Sequence, residues 1–361
     1  MTTTKLMIIA PILGIGGTEN SLSKFLISIE SQKIEICCIF IVRKSTTTSN
    51  FFSIPKKRNL VMHEVNISRP IASLRKIQKE MRNFKPNIIE GYLTLGNLLS
   101  IFFAGKKSVS ICNIRSVKKT FFQNPKSWIA YSIIVKMADS IIVNAPHLQS
   151  KRQKILIKTS VIPSLTCDQK KIKARSFSLG SSDEIYVLTI ANLRKEKDLG
   201  NFIDQIDSLP AEFIQKLRFH IVGDGEDRAK LEDKIASSSF NIVLEGFQRD
   251  IQPFLQKANI YIHPSRTEGM PNAVIEAIQA GIPFLLSKKP YAFDLISNCD
   301  LLYDIDRVGG LSDQLVQKLS DIDSFHNDCE RERKKLALIY SQSHINRSRL
   351  DFYHDLIQNK L

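Results

Sequence analysis

Two glutamates in the second half of this 361-residue sequence, Glu268 and Glu276, stand in a Glu-x7-Glu spacing interrupted by Gly269 and Pro271. The full stretch, His263-Pro264-Ser265-Arg266-Thr267-Glu268-Gly269-Met270-Pro271-Asn272-Ala273-Val274-Ile275-Glu276-Ala277, follows an apolar run at 260–262. Gly269 and Pro271 shape a loop, and Pro271 or Asn272 starts a helix over 273–280. Glu268 then lies in the loop and Glu276 about one turn inside the helix. Carboxylates accept hydrogen bonds from sugar hydroxyls and from the vicinal pair of a ribose. Amides at the helix start receive a hydroxyl oxygen or a phosphate. The competing reading makes Glu268 a surface acid and Glu276 a favourable early-helix charge. Two acids alone would not displace it; combined with the strand, Gly269, Pro271 and the small helix face, they favour a ligand site.

Basic side chains follow a second predicted strand, in Ala191-Asn192-Leu193-Arg194-Lys195-Glu196-Lys197-Asp198. At a strand's carboxyl end such groups can neutralise phosphate in an interdomain cleft, although taken alone the run is ordinary solvated charge. Gly223-Asp224-Gly225-Glu226-Asp227 is another loop entering a helix, and a lone GxG is weak evidence. Near the start, Gly14-Ile15-Gly16-Gly17-Thr18-Glu19-Asn20 follows the first strand directly. Adjacent glycines allow close backbone approach to a diphosphate, yet the dinucleotide fingerprint GxGxxG fails because Glu19 occupies the third glycine's place. A tight turn and an anion loop remain equal readings, and an acid at a helix start needs no catalytic explanation.

The elements that would position these residues alternate in β and α character, the pattern of parallel sheets with helical crossovers. Strands are expected over 6–10, 34–42, 60–62, 88–90, 109–112 and 140–143, then over 185–190, 218–222, 241–244, 259–262 and 283–286. Leu74, Ile77, Met81 and Phe84 recur at helical spacing, and helices are also expected over 199–206 and 273–280. Two such series imply an α/β chain with two hydrophobic cores. The polar, basic stretch 162–183 is the expected boundary, giving domains over 1–163 and 164–335. A helical segment over 336–361 carries an apolar stripe that needs a surface to cover.

Hydrophobic content of 43% and charged content of 24% exclude a disordered chain. The six cysteines show no CxxC or Cys/His ligand spacing, so reduced, mostly buried thiols are expected. The first residues read as a buried strand and glycine loop, and charges interrupt every apolar stretch before spanning length, which predicts a cytoplasmic protein. A formal charge of +15 is compatible with nucleic acid, anionic lipid or phosphorylated small substrates. With no zinc finger or RNP-like segment beside it, no specific nucleic-acid partner is expected.

The assembled pattern resembles glycosyltransferase family four, whose architecture, GT-B, has two facing Rossmann-like domains. The likeness rests on Gly16-Gly17-Thr18-Glu19, Val161-Ile162-Pro163, Lys197, Gly223-Asp224-Gly225 and the segment from Glu268 to Glu276. It implies a retaining transferase of hexosyl type, using a nucleotide diphosphate-sugar, a UDP-sugar above all, with no metal or other cofactor. The C-terminal helix would return to the first domain. Glu268 would contact donor-sugar hydroxyls, the amides around Gly269, Met270, Asn272 and Ala273 would orient the sugar, and Glu276 would grip the ribose. Lys197 would hold the diphosphate and stabilise the departing charge. Gly17 would allow backbone approach, and the Gly223 loop would line the base pocket.

Two departures stand out. Many relatives carry an arginine where this chain has Asn192, for which Arg194 or Lys195 would compensate. Many also carry a first-domain histidine where Cys112-Asn113-Ile114-Arg115-Ser116 lies here, leaving Glu19, Asn113 and Arg115 as acceptor-side candidates. The resemblance implies a saccharide or lipid-linked saccharide acceptor, in cell-surface polysaccharide or lipopolysaccharide synthesis at the inner membrane face. The segment 117–128 mixes cations with Phe121, Phe122 and Trp128, as an anionic membrane surface would require or ordinary packing would produce. A catalytically silent nucleotide-sugar-binding protein and a basic membrane- or nucleic-acid-binding module are the alternatives.

Overall fold

A computed structural model describes residues 3–12, 17–29, 34–42, 54, 57–117, 124–149, 158–165 and 184–358. The glycines at 14 and 16, the aromatics at 121 and 122 and the stretch 166–183 lie outside them. The chain forms two compact units, Met1–Leu165 with Gln342–Leu361, and Thr166–Ser341.

In the first unit, β1 (Thr4–Ile12), α1 (Gly17–Ser28), β2 (Ile34–Val42), β3 (Leu60–Asn66), α2 (Pro70–Phe84) and β4 (Ile88–Gly91) come first. Then follow α3 (Leu93–Ala104), β5 (Val109–Ile114), α4 (Pro125–Met137), β6 (Ser140–Val143) and β7 (Lys158–Val161). All neighbours pair in parallel, in the order β3-β2-β1-β4-β5-β6-β7. The order reverses between β1 and β4, the kind of switch point outside whose strand ends ligands bind in open α/β sheets. A strand buried on both faces must be apolar throughout, and β1 divides its side chains accordingly. Leu6, Ile8 and Ala10 pack in one core with Leu22, Phe25 and Leu26 of α1, while Met7 and Ile9 pack in another with Ile77 of α2. Met81 and Phe84 extend that second core as their spacing predicts, whereas Leu74 stays exposed.

The second unit contains β8 (Ile185–Ile190), α5 (Leu199–Asp207), β9 (Leu217–Val222), α6 (Arg228–Ala236), β10 (Asn241–Gly246) and α7 (Gln252–Lys257). After these come β11 (Ile260–His263), α8 (Asn272–Gln279), β12 (Phe284–Ser287), α9 (Pro290–Leu295) and β13 (Leu302–Tyr303), with α10 (Gly310–Ser320) and α11 (Ile322–Ile339) last. The parallel order β10-β9-β8-β11-β12-β13 reverses between β8 and β11. The break expected at 335/336 falls inside α11; the change of unit comes at Ser341, where the chain leaves one helix for α12 (Gln342–Gln358). Ile345, Phe352, Tyr353 and Leu356 of α12 complete the α1-side core of the first unit, so the C-terminal helix does return there.

Candidate functional site

In the second unit the switch point brings the loops after β8 and β11 together. His263 ends β11, and Glu268 follows in the loop that leads to α8. Lys197, at the end of a short 3-10 turn, reaches across from the β8 side so that its Nζ lies 2.5 Å from Glu268 Oε1. The same oxygen accepts from His263 Nε2 at 2.8 Å and from Ser265 Oγ at 2.8 Å. The two loops are also joined along the backbone, where the Arg266 amide donates to the Glu196 carbonyl at 3.0 Å, and by the Arg266–Asp198 ion pair at 2.6 Å.

These contacts determine the charges. Burial alone would raise the Glu268 carboxyl, but the Lys197 ammonium and the His263 hydrogen bond outweigh it and hold the group at about 2. Burial lowers His263 below its ordinary value despite the carboxylate beside it, so the ring is neutral. A neutral ring facing a carboxylate through Nε2 must carry its proton there; Nδ1, 3.1 Å from the Tyr261 hydroxyl, then accepts. The Tyr261 phenol, raised far up by burial and by charges that include both Glu268 and Glu276, keeps its proton. Glu276 sits half-buried on α8, whose first residues Asn272 and Ala273 have amides with no acceptor one turn earlier in the helix. Asn272 Oδ1 is buried and has no hydrogen-bond partner among the described residues.

Gly223 has a structural requirement of its own. Its φ is +141°, and a Cβ there would stand 1.9 Å from the Ala191 carbonyl oxygen. That absence of a side chain lets the loop after β9 close on the loop after β8, where Leu193 donates to the Asp224 carbonyl at 3.1 Å. Asn192, Arg194 and Lys195 are exposed. Arg194 and Lys195 line a recess with Asp227 and Lys230.

The first unit has a cavity of about 860 Å³ at the carboxyl ends of its strands. Asn113 and Arg115 both line it, as does Thr18, the neighbour of Gly17 and Glu19 in the first turn of α1. Beneath it lies a sealed polar network. Glu90, in β4 and fully buried, accepts from Asn113 Nδ2 at 2.8 Å, from Arg349 at 3.0 Å and from the Tyr353 hydroxyl. Arg349 also donates to the Tyr92 hydroxyl at 2.6 Å, so α12 is bound to the cavity floor by charge as well as by packing. Burial brings the Arg115 guanidinium down to about 10, which leaves it charged at neutral pH.

Lys197, Glu268, Gly269, Met270, Asn272, Ala273 and Glu276 thus belong to one switch point in the second unit, with Gly223 in the loop after the neighbouring strand. Glu19, Asn113 and Arg115 belong to the first unit, the latter two on one cavity wall. His263, Ser265 and Tyr261 were not singled out by sequence; a polar pair at the end of a buried strand, just before the acid it serves, was the available signal. Among the described residues no group of His, Cys, Asp or Glu converges as a metal site requires, and no helix is long and apolar enough to cross a membrane. Cys37, Cys38, Cys112 and Cys329 are buried free thiols, and Cys299 is exposed.

Residues 184–321 match the family described as Glycosyl transferases group 1. The uncharacterized glycosyltransferase MJ1059 of Methanocaldococcus jannaschii is 27% identical over 169 residues, covering 44% of this chain and 41% of that protein. The lipopolysaccharide core biosynthesis glycosyltransferase LpsE of Rhizobium meliloti is 21% identical over 293 residues, 79% of each chain. Among solved structures, Anabaena HepE in complex with UDP superposes with a TM-score of 0.79 at 13% identity, over 98% of this chain and 100% of that one. The fold is GT-B, and the similarity to glycosyltransferases anticipated from the motifs holds, in the family match within the second unit, in sequence over as much as 79% of the chain, and in the fold over nearly the whole chain.

Proposed function

We propose that the protein is a retaining glycosyltransferase that takes its sugar, of hexose type, from a UDP-sugar and passes it to a saccharide or lipid-linked saccharide of a cell-surface polysaccharide. The observation that carries this reading is the Lys197–Glu268–His263 cluster, built at the switch point of the unit that matches the family. Lys197 brings a charge to the diphosphate, whose leaving oxygens need a cation most at the transition state. Glu268, ionised and immobilised by three donors, accepts from sugar hydroxyls, and Glu276 accepts from the ribose. The acceptor oxygen forms a bond to the anomeric carbon on the face from which the diphosphate departs. The anomeric carbon–oxygen bond breaks, and the acceptor's hydroxyl proton passes to the departing diphosphate. No protein nucleophile is required, and positioning supplies much of the rate. The test is transfer from a UDP-sugar panel to membrane-extracted lipid acceptors, with product configuration read by NMR. Lys197→Ala and Glu268→Ala should each abolish transfer in a folded protein. Unchanged turnover in either, or an inverted product, refutes the reading.

The similarity to a lipopolysaccharide core biosynthesis glycosyltransferase and the exposed face of α4 both support action at the cytoplasmic face of a membrane. Ile129, Ile133 and Met137 are exposed at helical spacing there, with Lys126 and Lys136 in the same arc, a pairing suited to anionic headgroups. Co-sedimentation with phosphatidylglycerol vesicles should fall when Ile133 becomes serine.

A further inference from the structure

We infer that the cavity of the first unit is selective for an acceptor bearing an anionic group beside a hydroxyl, and that Arg115 and the side-chain oxygen Oδ1 of Asn113 make that selection. The inference rests on the transferase reading for its word acceptor, but its chemistry is read from the cavity alone.

Among the described residues that line the cavity, Arg115 is the one charged side chain. Its guanidinium donates to Ser164 Oγ and senses Glu19 and Glu90 through space. A guanidinium has five donors, so one hydroxyl leaves capacity for an anion at the cavity wall. Ile41, Ile67, Tyr131 and Ile134 supply apolar wall around it, where a charge-assisted bond is stronger than in water.

Asn113 complements the cation. Its Nδ2 donates to Glu90 Oε1 at 2.8 Å and to the Gly91 carbonyl at 2.9 Å. Both partners are pure acceptors, so the amide cannot be turned the other way. The Asn113 main-chain N–H and C=O are taken by Asn97, at 3.0 and 2.9 Å. Oδ1 is therefore the polar atom Asn113 offers to a ligand, and it accepts from a hydroxyl. Glu90 is the positioning residue of this arrangement, itself held by Arg349 and Tyr353 of α12.

The experiment uses the full chain and isothermal titration, with fluorescence of Trp128, the single tryptophan and the neighbour of cavity-lining Ser127, as a local readout. The probes are octyl phosphate, octyl glucoside and inorganic phosphate. Octyl phosphate should bind about tenfold or more tightly than octyl glucoside, the scale of one charge-assisted hydrogen bond. Arg115→Gln should erase that preference, Arg115→Lys should keep most of it, and Glu19→Gln should sharpen it. Equal affinity for the two octyl probes overturns the inference, as does a preference that survives Arg115→Gln. Inorganic phosphate binding as well as octyl phosphate overturns the role of the apolar walls. UDP titrated into the same variants separates the readings. If UDP binds while the anionic preference is missing, this inference falls and the transferase stands; if no variant or wild type binds UDP, the transferase reading itself falls.

Discussion

Replacing Lys197 by methionine keeps the side chain's length and removes its charge, which isolates the Lys197–Glu268 pair. The carboxyl is held at about 2 against an ordinary value of 4.5. A folded value below the unfolded one means stability that is complete above pH 4.5 and lost as pH falls through about 2. At about 1.36 kcal/mol for each pH unit, the contribution is about 3 kcal/mol. The pair is only 16% and 11% exposed, so solvent screening reduces this little. In Lys197→Met the largest remaining influence on Glu268 is burial, which raises it, against the hydrogen bonds from His263 and Ser265. Removing one partner of a buried pair costs about 3–5 kcal/mol. Urea unfolding followed by far-UV circular dichroism should therefore show the variant about 3 kcal/mol less stable at pH 7. The gap should narrow steadily between pH 4.5 and about 2, because the unfolded chain takes up a proton that the wild-type native carboxyl, held at about 2, does not. A gap under about 1 kcal/mol at pH 7, or one of constant size down to pH 2.5, would refute the reasoning.

Three further outcomes follow from the same geometry. Gly223→Ala places a Cβ against the Ala191 carbonyl at a φ that L residues avoid; the second unit should lose about 3 kcal/mol or more, seen as a lowered melting midpoint together with weaker UDP binding. Arg349→Met leaves Glu90 sealed without its ion-pair partner, at a cost of about 3–5 kcal/mol in urea unfolding, and Arg349→Met with Glu90→Leu should recover most of it. His263→Phe keeps a ring but removes the donor to Glu268, so transfer should slow by about tenfold to a hundredfold with UDP affinity nearly unchanged, as steady-state kinetics and titration would report.

The strands that carry the site were legible because parallel strands buried on both faces are apolar runs bounded by turn residues. Ile185–Ile190 and Ser140–Val143 came out with the expected ends, and α8 begins at Asn272, one of the two expected starts. β7 and β13 were missed because Lys158–Val161 is polar in its first half and Leu302–Tyr303 is only a pair, too short for any period to register. At the site, Lys197 and Glu268 were paired by motif, but that they touch depends on two loops 71 residues apart meeting at a sheet reversal. Arg349 was invisible for the same reason: its carboxylate partner lies 259 residues earlier. Gly223 was weak as a sequence signal because a lone GxG has many uses, and its necessity lies in the distance to Ala191.

Each unit repeats one topology, and each sets a carboxylate on or just beyond the strand that follows the reversal: Glu90 lies in β4, and Glu268 follows β11. Each acid is matched by a base brought from far along the chain, Arg349 in one unit and Lys197 in the other. They differ in access. Glu90 has no exposed surface, and its bonds run to Asn113 and α12, so it can act on a ligand only through what it orients. Glu268 and Lys197 retain part of their surface and stand beside the open amides of α8. The same electrostatic motif is thus sealed into the structure in one unit and open to a ligand in the other. Accessibility, rather than the presence of an acid–base pair, is the ground on which the reacting centre is proposed for the second unit.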